Sequence, residues 1–233
     1  MATTSELKVA TIGAGYFSAF HVAGWAENPD VTLKALADLD RAKAEDLLAR
    51  TLGEGHGVAT FGDAEEMLAA VRPDIVDIAS PPESHAALIE LALRFEPRAI
   101  ICQKPFCGGL DAARRTTGLA RDRGVLLVVH ENFRFQPWYR LIRERIAAGA
   151  IGDVYQVSFR LRPGDGQGPD AYLSRQPYFQ KMPRFLVHET AVHWIDTFRY
   201  LLGEPDSVWA DLRRLNPHIA GEDSGLIVYR YGD

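Results

Sequence analysis

The sequence predicts an α/β chain in which a doubly wound parallel sheet comes first and a smaller α+β domain with a largely antiparallel, open sheet follows. Three observations carry this. Short β-rich runs alternate with helical patterns as far as about residue 130, as βαβ units do. Those runs are apolar without alternating, as expected of strands covered on both faces. Beyond Phe133 the character changes: residues 154–162 (VYQVSFRLR) alternate apolar with polar, which marks a half-exposed strand of a different sheet. The two domains are therefore expected over residues 1–132 and 133–233.

The first strand, from Val9, meets Gly13-Ala-Gly15-Tyr16-Phe17-Ser18 and turns into a helix. Gly13 permits the tight turn, and Gly15 lets the backbone approach a phosphate with no Cβ in the way. Ser18 is small enough for close packing of helix on strand. A helix N-terminus after such a turn is a pyrophosphate site. The second strand, 33–38, ends in Asp38, about 20 residues downstream of the turn, where a ribose-binding carboxylate belongs. Together they predict a Rossmann dinucleotide site. A carboxylate at 38 accepts both ribose hydroxyls and repels a 2′-phosphate, and Arg41 is the nearby cation, so NAD is expected over NADP.

The remaining elements follow in order. Residues 57–60 read as a short strand and 63–70 as a helix opened by an Asp63 cap. A strand over 74–79 is broken by Pro81-Pro82 and followed by a helix over 83–95. Residues 99–102 form a strand, 110–123 a helix and 125–130 a sixth strand. In the second domain, 137–148 is an amphipathic helix closed by Gly149. Residues 163–177, rich in Gly, Pro and Asp, form a loop. A helix over 185–202 ends at Gly203 and Pro205, and strands follow over 208–215 and 226–231. The chain stops in mid-pattern after that strand, so the second domain is expected to be incomplete.

Composition narrows the function. Among 233 residues, 47% are apolar and 24% charged, which describes an ordinary globular chain. A net charge of −5 with no basic block argues against a nucleic-acid surface. No apolar run is long enough to cross a bilayer, and residues 1–6 carry no signal-peptide pattern. Cys102 and Cys107 fit neither a zinc knuckle nor a redox pair, so a reducing cytoplasm is the expected location.

Four motifs in order, Gly13-Ala-Gly15-Tyr-Phe-Ser18 with His21, then Ala79-Ser80-Pro81-Pro82-Glu-Ser-His85, then Gln103-Lys104-Pro105, then Glu189-Thr-Ala-Val-His193-Trp-Ile-Asp196, resemble the Gfo/Idh/MocA oxidoreductases over nearly the whole chain. The resemblance implies NAD(P)-dependent redox chemistry on sugars, cyclitols and related polyols. It also implies a homo-oligomer, dimer or tetramer, formed through the open sheet. Cofactor contacts are then expected from Gly13, Gly15, Tyr16, Phe17, Ser18, Asp38, Ser80, Pro81, His85, Gln103 and Lys104.

Lys104 follows the fifth strand, at the sheet edge where ligands of open α/β sheets bind. A lysine there holds the substrate hydroxyl and stabilises the developing alkoxide. The residue before it is commonly Glu in the family and is Gln103 here, which removes a negative charge beside the lysine. His193 is the expected general base, since imidazole titrates near neutral pH. Glu189, four residues earlier, shares its helix face; two roles stand for it, orienting His193 or touching substrate. Asp196 is read as bracing its helix, and no metal is expected. His85 lies along the nicotinamide side by resemblance, or is a satisfied structural histidine. Asn132 and Arg134 contact substrate or carboxamide, or make a hydrogen-bonded hinge. Arg160 and Arg162 share one face of their segment, opposite Phe159 and Leu161, and either bind a hydroxyl-rich substrate or are solvated charge. Asp165, Asp170, Tyr172 and Tyr178 of the adjoining loop are the expected specificity elements.

Within the family, the runs 101–106, 129–138 and 162–168 resemble the D-apiose dehydrogenases, which implies oxidation of an aldose at its anomeric carbon to a lactone. Alternatives are a dehydrogenase of another polyol such as inositol, a non-catalytic NAD-binding sensor, and an NAD-dependent glycoside hydrolase.

Overall fold

A computed structural model describes residues 6–174 and 176–232. The chain divides into two compact units, Met1–His130 and Glu131–Asp233. In the first, β1 (Leu7–Ile12), β2 (Val31–Ala37), β3 (Ala59–Phe61), β4 (Ile75–Ile78), β5 (Ala99–Gln103) and β6 (Leu126–His130) form one parallel sheet in the order β3-β2-β1-β4-β5-β6. The chain winds outward from β1 in one direction and then from β4 in the other. The switch between them places the carboxyl ends of β1 and β4 side by side, where doubly wound sheets bind ligands.

Helices cover both faces. α1 (Ser18–Glu27) and α2 (Arg41–Leu52) bring Val22, Leu47 and Leu48 onto one face, against Val9, Leu33 and Leu36. α3 (Ala64–Val71), α4 (Pro82–Leu93) and α5 (Leu110–Asp122) bring Met67, Leu68, Ile89 and Leu93 onto the other, against Ala10, Ile78 and Ile100. Each such fully buried side chain contributes about 1.5–3 kcal/mol. The Asp40 and Asp63 side chains cap α2 and α3, accepting from the N–H groups of Lys43 and Glu66. β6, at the edge of the sheet, departs from the two-face expectation: Leu126, Val128 and Val129 are exposed.

Two glycines sit in helix interiors with open space where a Cβ would go, Gly24 in α1 and Gly118 in α5. Neither has a positive φ. Alanine at each position is expected to raise stability by about 0.5–1 kcal/mol, by reducing the freedom of the unfolded chain. Urea unfolding midpoints check this.

The second unit holds α6 (Pro137–Ala147), a 3₁₀ turn (Pro177–Lys181), a π-helical turn (Leu186–Ala191) running directly into α7 (Val192–Leu202), and an antiparallel pair of β7 (Ser207–Arg213) and β8 (Ser224–Arg230). A small core gathers Ala171, Tyr172, Phe179, Phe185 and Ile219. A groove of about 260 Å³ opens between α7 and β8, lined by Phe159, Leu161, Trp194, Phe198, Leu226 and Tyr229. The strand expected over 154–162 does not form: that stretch pairs with no strand among the described residues. Alternation states which face a segment can bury, but a strand exists only where a neighbour supplies ladder hydrogen bonds. Phe159 stacks on Trp194 with ring centroids 4.3 Å apart, while Phe159, Arg160, Leu161 and Arg162 are all exposed.

Candidate functional site

In the first unit the turn after β1 is held from three sides. The Gly13 N–H donates to the Ala37 carbonyl at 2.7 Å, and a Cβ at Gly13 would lie 2.7 Å from the Ala79 carbonyl oxygen. The buried Ser18 hydroxyl accepts from the Gly15 N–H at 3.0 Å and donates to Ala79 O at 3.4 Å, fastening the turn to the end of β4. Asp38 Oδ2 accepts from the Ala14 N–H at 2.7 Å, and Oδ1 accepts from the Asp40 N–H at 2.9 Å. Each carboxylate oxygen keeps a second lone pair, so the group still has acceptor capacity for a diol. No side chain caps α1 and no acidic residue occupies its first turn, which leaves the positive end of the helix for an anion. Tyr16 and Phe17 lie exposed beside it, in edge-on contact with each other. Nearby, Arg41 is engaged by Glu45 at 3.0 Å.

At the end of β4, the Ser80 and Ser84 hydroxyls bond at 2.6 Å, and Pro81 is exposed. His85 is scaffold. It is fully buried, with Nε2 2.8 Å from Ser80 O and Nδ1 3.0 Å from Pro105 O. Burial pushes its pKa below the ordinary histidine value, against the opposing pull of those carbonyls. With Nδ1 and Nε2 both facing backbone carbonyls, the buried ring ties the end of β4 to the segment after Lys104. Cys102 and Cys107 are buried free thiols whose pKa values burial pushes up, which makes poor nucleophiles of them.

Lys104 follows β5, with a cis peptide bond to Pro105. Its backbone N–H donates to Gln103 Oε1 at 2.7 Å, and the Gln103 amide nitrogen donates to His21 Nε2 at 2.9 Å. His21 Nδ1 lies 2.9 Å from the carboxylate of Asp77, a fully buried residue of β4. His21, Asp77 and their partners form a polar network inside the sheet that motif reading does not assign.

In the second unit, His193 stands on α7. Its Nδ1 lies 2.7 Å and 2.9 Å from the two carboxylate oxygens of Glu131, and its ring stacks on Phe133 at 4.0 Å, 10° from parallel. Glu131 Oε1 also accepts from the Phe133 N–H at 2.9 Å, which fixes the carboxylate. A proton shared between Nδ1 and Glu131 leaves Nε2 as the nitrogen with a lone pair, the arrangement of a general base. The carboxylate on His193 is thus Glu131 and not Glu189. The cause is local: Glu189 lies in the π-helical turn, whose angular spacing differs from that of the α-helix carrying His193. Glu189 is buried.

Arg134 and Tyr172 engage partners within the second unit. The Arg134 guanidinium is forked onto Asp196, with Nε 2.6 Å from Oδ2 and a second contact from the terminal nitrogen to Oδ1, and it lies 5.5 Å from the Tyr200 ring centroid. The Asp196 bond pushes the arginine's pKa further up. Arg134 therefore braces the segment before α6 against α7. Tyr172 is a core residue, 5% exposed, packed on Phe179 and Phe185. Tyr178 packs against the same core, with its hydroxyl accepting from Gln176 at 3.2 Å. Asn132, Asp165 and Asp170 are exposed. Among the described residues no group of His, Cys, Asp and Glu could hold a metal ion, and no helix is long and apolar enough to cross a membrane.

Residues 7–131 match a family described as "Oxidoreductase family, NAD-binding Rossmann fold", and residues 139–233 match its "GFO/IDH/MocA C-terminal domain". Among curated relatives, a D-apiose dehydrogenase of Paraburkholderia graminis is 37% identical over 97% of this chain and 58% of its own length. One of Rhizobium rhizogenes is 33% identical over 96% and 62%. The chain thus spans about three fifths of the curated relatives it matches. Among solved structures, an oxidoreductase from Agrobacterium radiobacter in complex with NAD+, L-tartaric acid and magnesium superimposes with a TM-score of 0.84 at 32% identity, covering 97% of this chain and 63% of that one.

Proposed function

Because the chain belongs to the Gfo/Idh/MocA family of oxidoreductases, we propose that it is an NAD-dependent sugar dehydrogenase of the cytoplasm, oxidising an aldose at its anomeric carbon to a lactone. D-apiose is the first candidate substrate, on the names of the two relatives at 37% and 33% identity. The observation that carries the reading is the Glu131–His193 pair: an imidazole held by a buried carboxylate at Nδ1 and stacked on Phe133.

The first unit fits a dinucleotide. The Gly13 turn has no room for a Cβ, the positive end of α1 is uncapped, and Asp38 closes the next strand. NAD, when bound, supplies the hydride acceptor. The chain's own residues manage the proton and the oxygen: His193 Nε2 takes the hydroxyl proton, and the Lys104 ammonium stabilises the negative charge that develops on that oxygen. Engagement of Arg41 by Glu45 supports NAD over NADP, since it draws the local cation away from a 2′-phosphate. The exposed Trp209, Leu226 and Val228, which share one face of the β7–β8 pair, support a homo-oligomer, dimer or tetramer.

Nicotinamide reduction across a panel of aldoses and cyclitols tests this. Turnover of one sugar is expected, with kcat/KM for NAD about 100-fold above that for NADP. Lys104→Ala is expected to lower kcat by about 10²–10³-fold. Silence across the panel while NAD still binds would overturn the dehydrogenase reading in favour of a sensor.

A further inference from the structure

We propose that Asp77, His21 and Gln103 form a hydrogen-bond chain of defined direction that positions Lys104 through its backbone N–H, and that Gln at 103 is the residue this direction requires. The inference rests on the reading of Lys104 as the group that holds the substrate oxygen.

The direction follows from partner chemistry. Asp77 is fully buried and its carboxylate only accepts: from Trp25 Nε1–H at 2.7 Å, from Thr11 Oγ1–H at 3.4 Å and from His21 Nδ1 at 2.9 Å. His21 therefore carries a proton on Nδ1, and in the neutral ring Nε2 is then an acceptor. Facing Nε2 are the Gln103 amide nitrogen at 2.9 Å and His130 Nδ1 at 3.1 Å. The Gln103 amide has one orientation that satisfies both of its ends: Nε2 donates to His21 and Oε1 accepts from the Lys104 N–H at 2.7 Å. Every donor then meets an acceptor along four residues that come from β4, α1 and the end of β5.

A carboxylate at 103 would still accept from Lys104 but would turn an oxygen toward the His21 lone pair. With the ring neutral, two acceptors would then face each other in a site where His21 is 7% exposed; relief takes a second proton on His21, which ends the directed chain. The chain can also be reversed as a whole. With Asn at 77, the amide donates to His21 Nδ1, the proton moves to Nε2, and that N–H is satisfied by an acceptor at 103 or by His130 Nδ1 at 3.1 Å. Gln103 could supply its oxygen only by turning its amide nitrogen onto the Lys104 N–H, donor against donor. Glu at 103 accepts from both.

Two experiments decide it. In ring ¹⁵N spectra of the unaltered protein, His21 is expected as the neutral tautomer protonated on Nδ1; protonation on Nε2 alone overturns the chain whatever the variants do. In kinetics, Asp77→Asn and Gln103→Glu are each expected to lower kcat about tenfold, with the Kd for NAD of Asp77→Asn held within about threefold. The double variant is expected to recover to within about threefold of the parent. A double variant no faster than the slower single variant overturns the proposal, since two merely structural lesions add. Undiminished turnover in Lys104→Ala would strike the reading of Lys104 instead, and the ring spectrum judges the chain in either case.

Discussion

Gly13→Ala is expected to destabilise the protein by about 3 kcal/mol or more and to lower its melting temperature by about 10 °C. Two effects add at this position. Gly13 sits at φ +106°, a conformation that L side chains rarely adopt. Its Cβ would also lie 2.7 Å from Ala79 O, 2.8 Å from Ala79 C and 2.9 Å from Ser80 N. All three are backbone atoms at the end of β4, next to β1 in the sheet, so relief requires the two central strands to part. Gly15→Ala separates folding from binding. Its Cβ would sit 3.9 Å from Ala79 O and 4.0 Å from Ser18 Oγ, ordinary contact distances. That variant is expected to keep its stability within about 1 kcal/mol yet bind NAD at least about tenfold more weakly, because the methyl group stands where the pyrophosphate approaches. Thermal unfolding and titration with NAD measure the pair. Equal stability of Gly13→Ala and parent would show that the turn is not under the constraint described.

What is legible in this chain is what it encodes locally. The Gly turn, the acid closing β2 and the Asp caps each declare themselves within a few residues, and the sheet follows from apolar runs punctuated by helices. Side chains whose partners lie far along the chain are less readable. Arg134 has the look of a substrate ligand in its own segment, and becomes a brace because Asp196, 62 residues later, takes its fork. Tyr172 sits in a Gly- and Pro-rich loop, where an aromatic suggests recognition, until Phe179 and Phe185 close over it. His85 looks functional beside two prolines and proves to span backbone carbonyls. Residues 154–162 show that periodicity does not report pairing. Glu131 did leave a signal, an acid directly after an apolar strand at the carboxyl edge of a parallel sheet. The nearer acid at 189 obscured it, because helical spacing was assumed through a turn that is π-helical.

Glu131→Gln is expected to lower kcat by about 10²–10⁴-fold while leaving the Kd for NAD and the fold nearly unchanged. The amide is isosteric, so Phe133 keeps an acceptor for its N–H and the stacking on His193 persists. What changes is the proton. A carboxylate accepts only, and so holds the His193 proton on Nδ1 and stabilises the imidazolium once Nε2 has taken the substrate proton. An amide can turn its N–H₂ toward Nδ1, which moves the ring proton to Nε2 and removes the lone pair a base needs. It also withdraws the negative charge that balances the imidazolium, in a site where the two side chains are only 14% and 9% exposed. Glu189→Gln serves as the comparison, since the carboxylate at His193 Nδ1 is that of Glu131. If Glu131→Gln turned over as fast as the parent, or if Glu189→Gln alone carried the loss, the base would be oriented from the other carboxylate. Single-turnover hydride transfer at saturating NAD, with the ring ¹⁵N shifts of His193 as the structural readout, distinguishes these results.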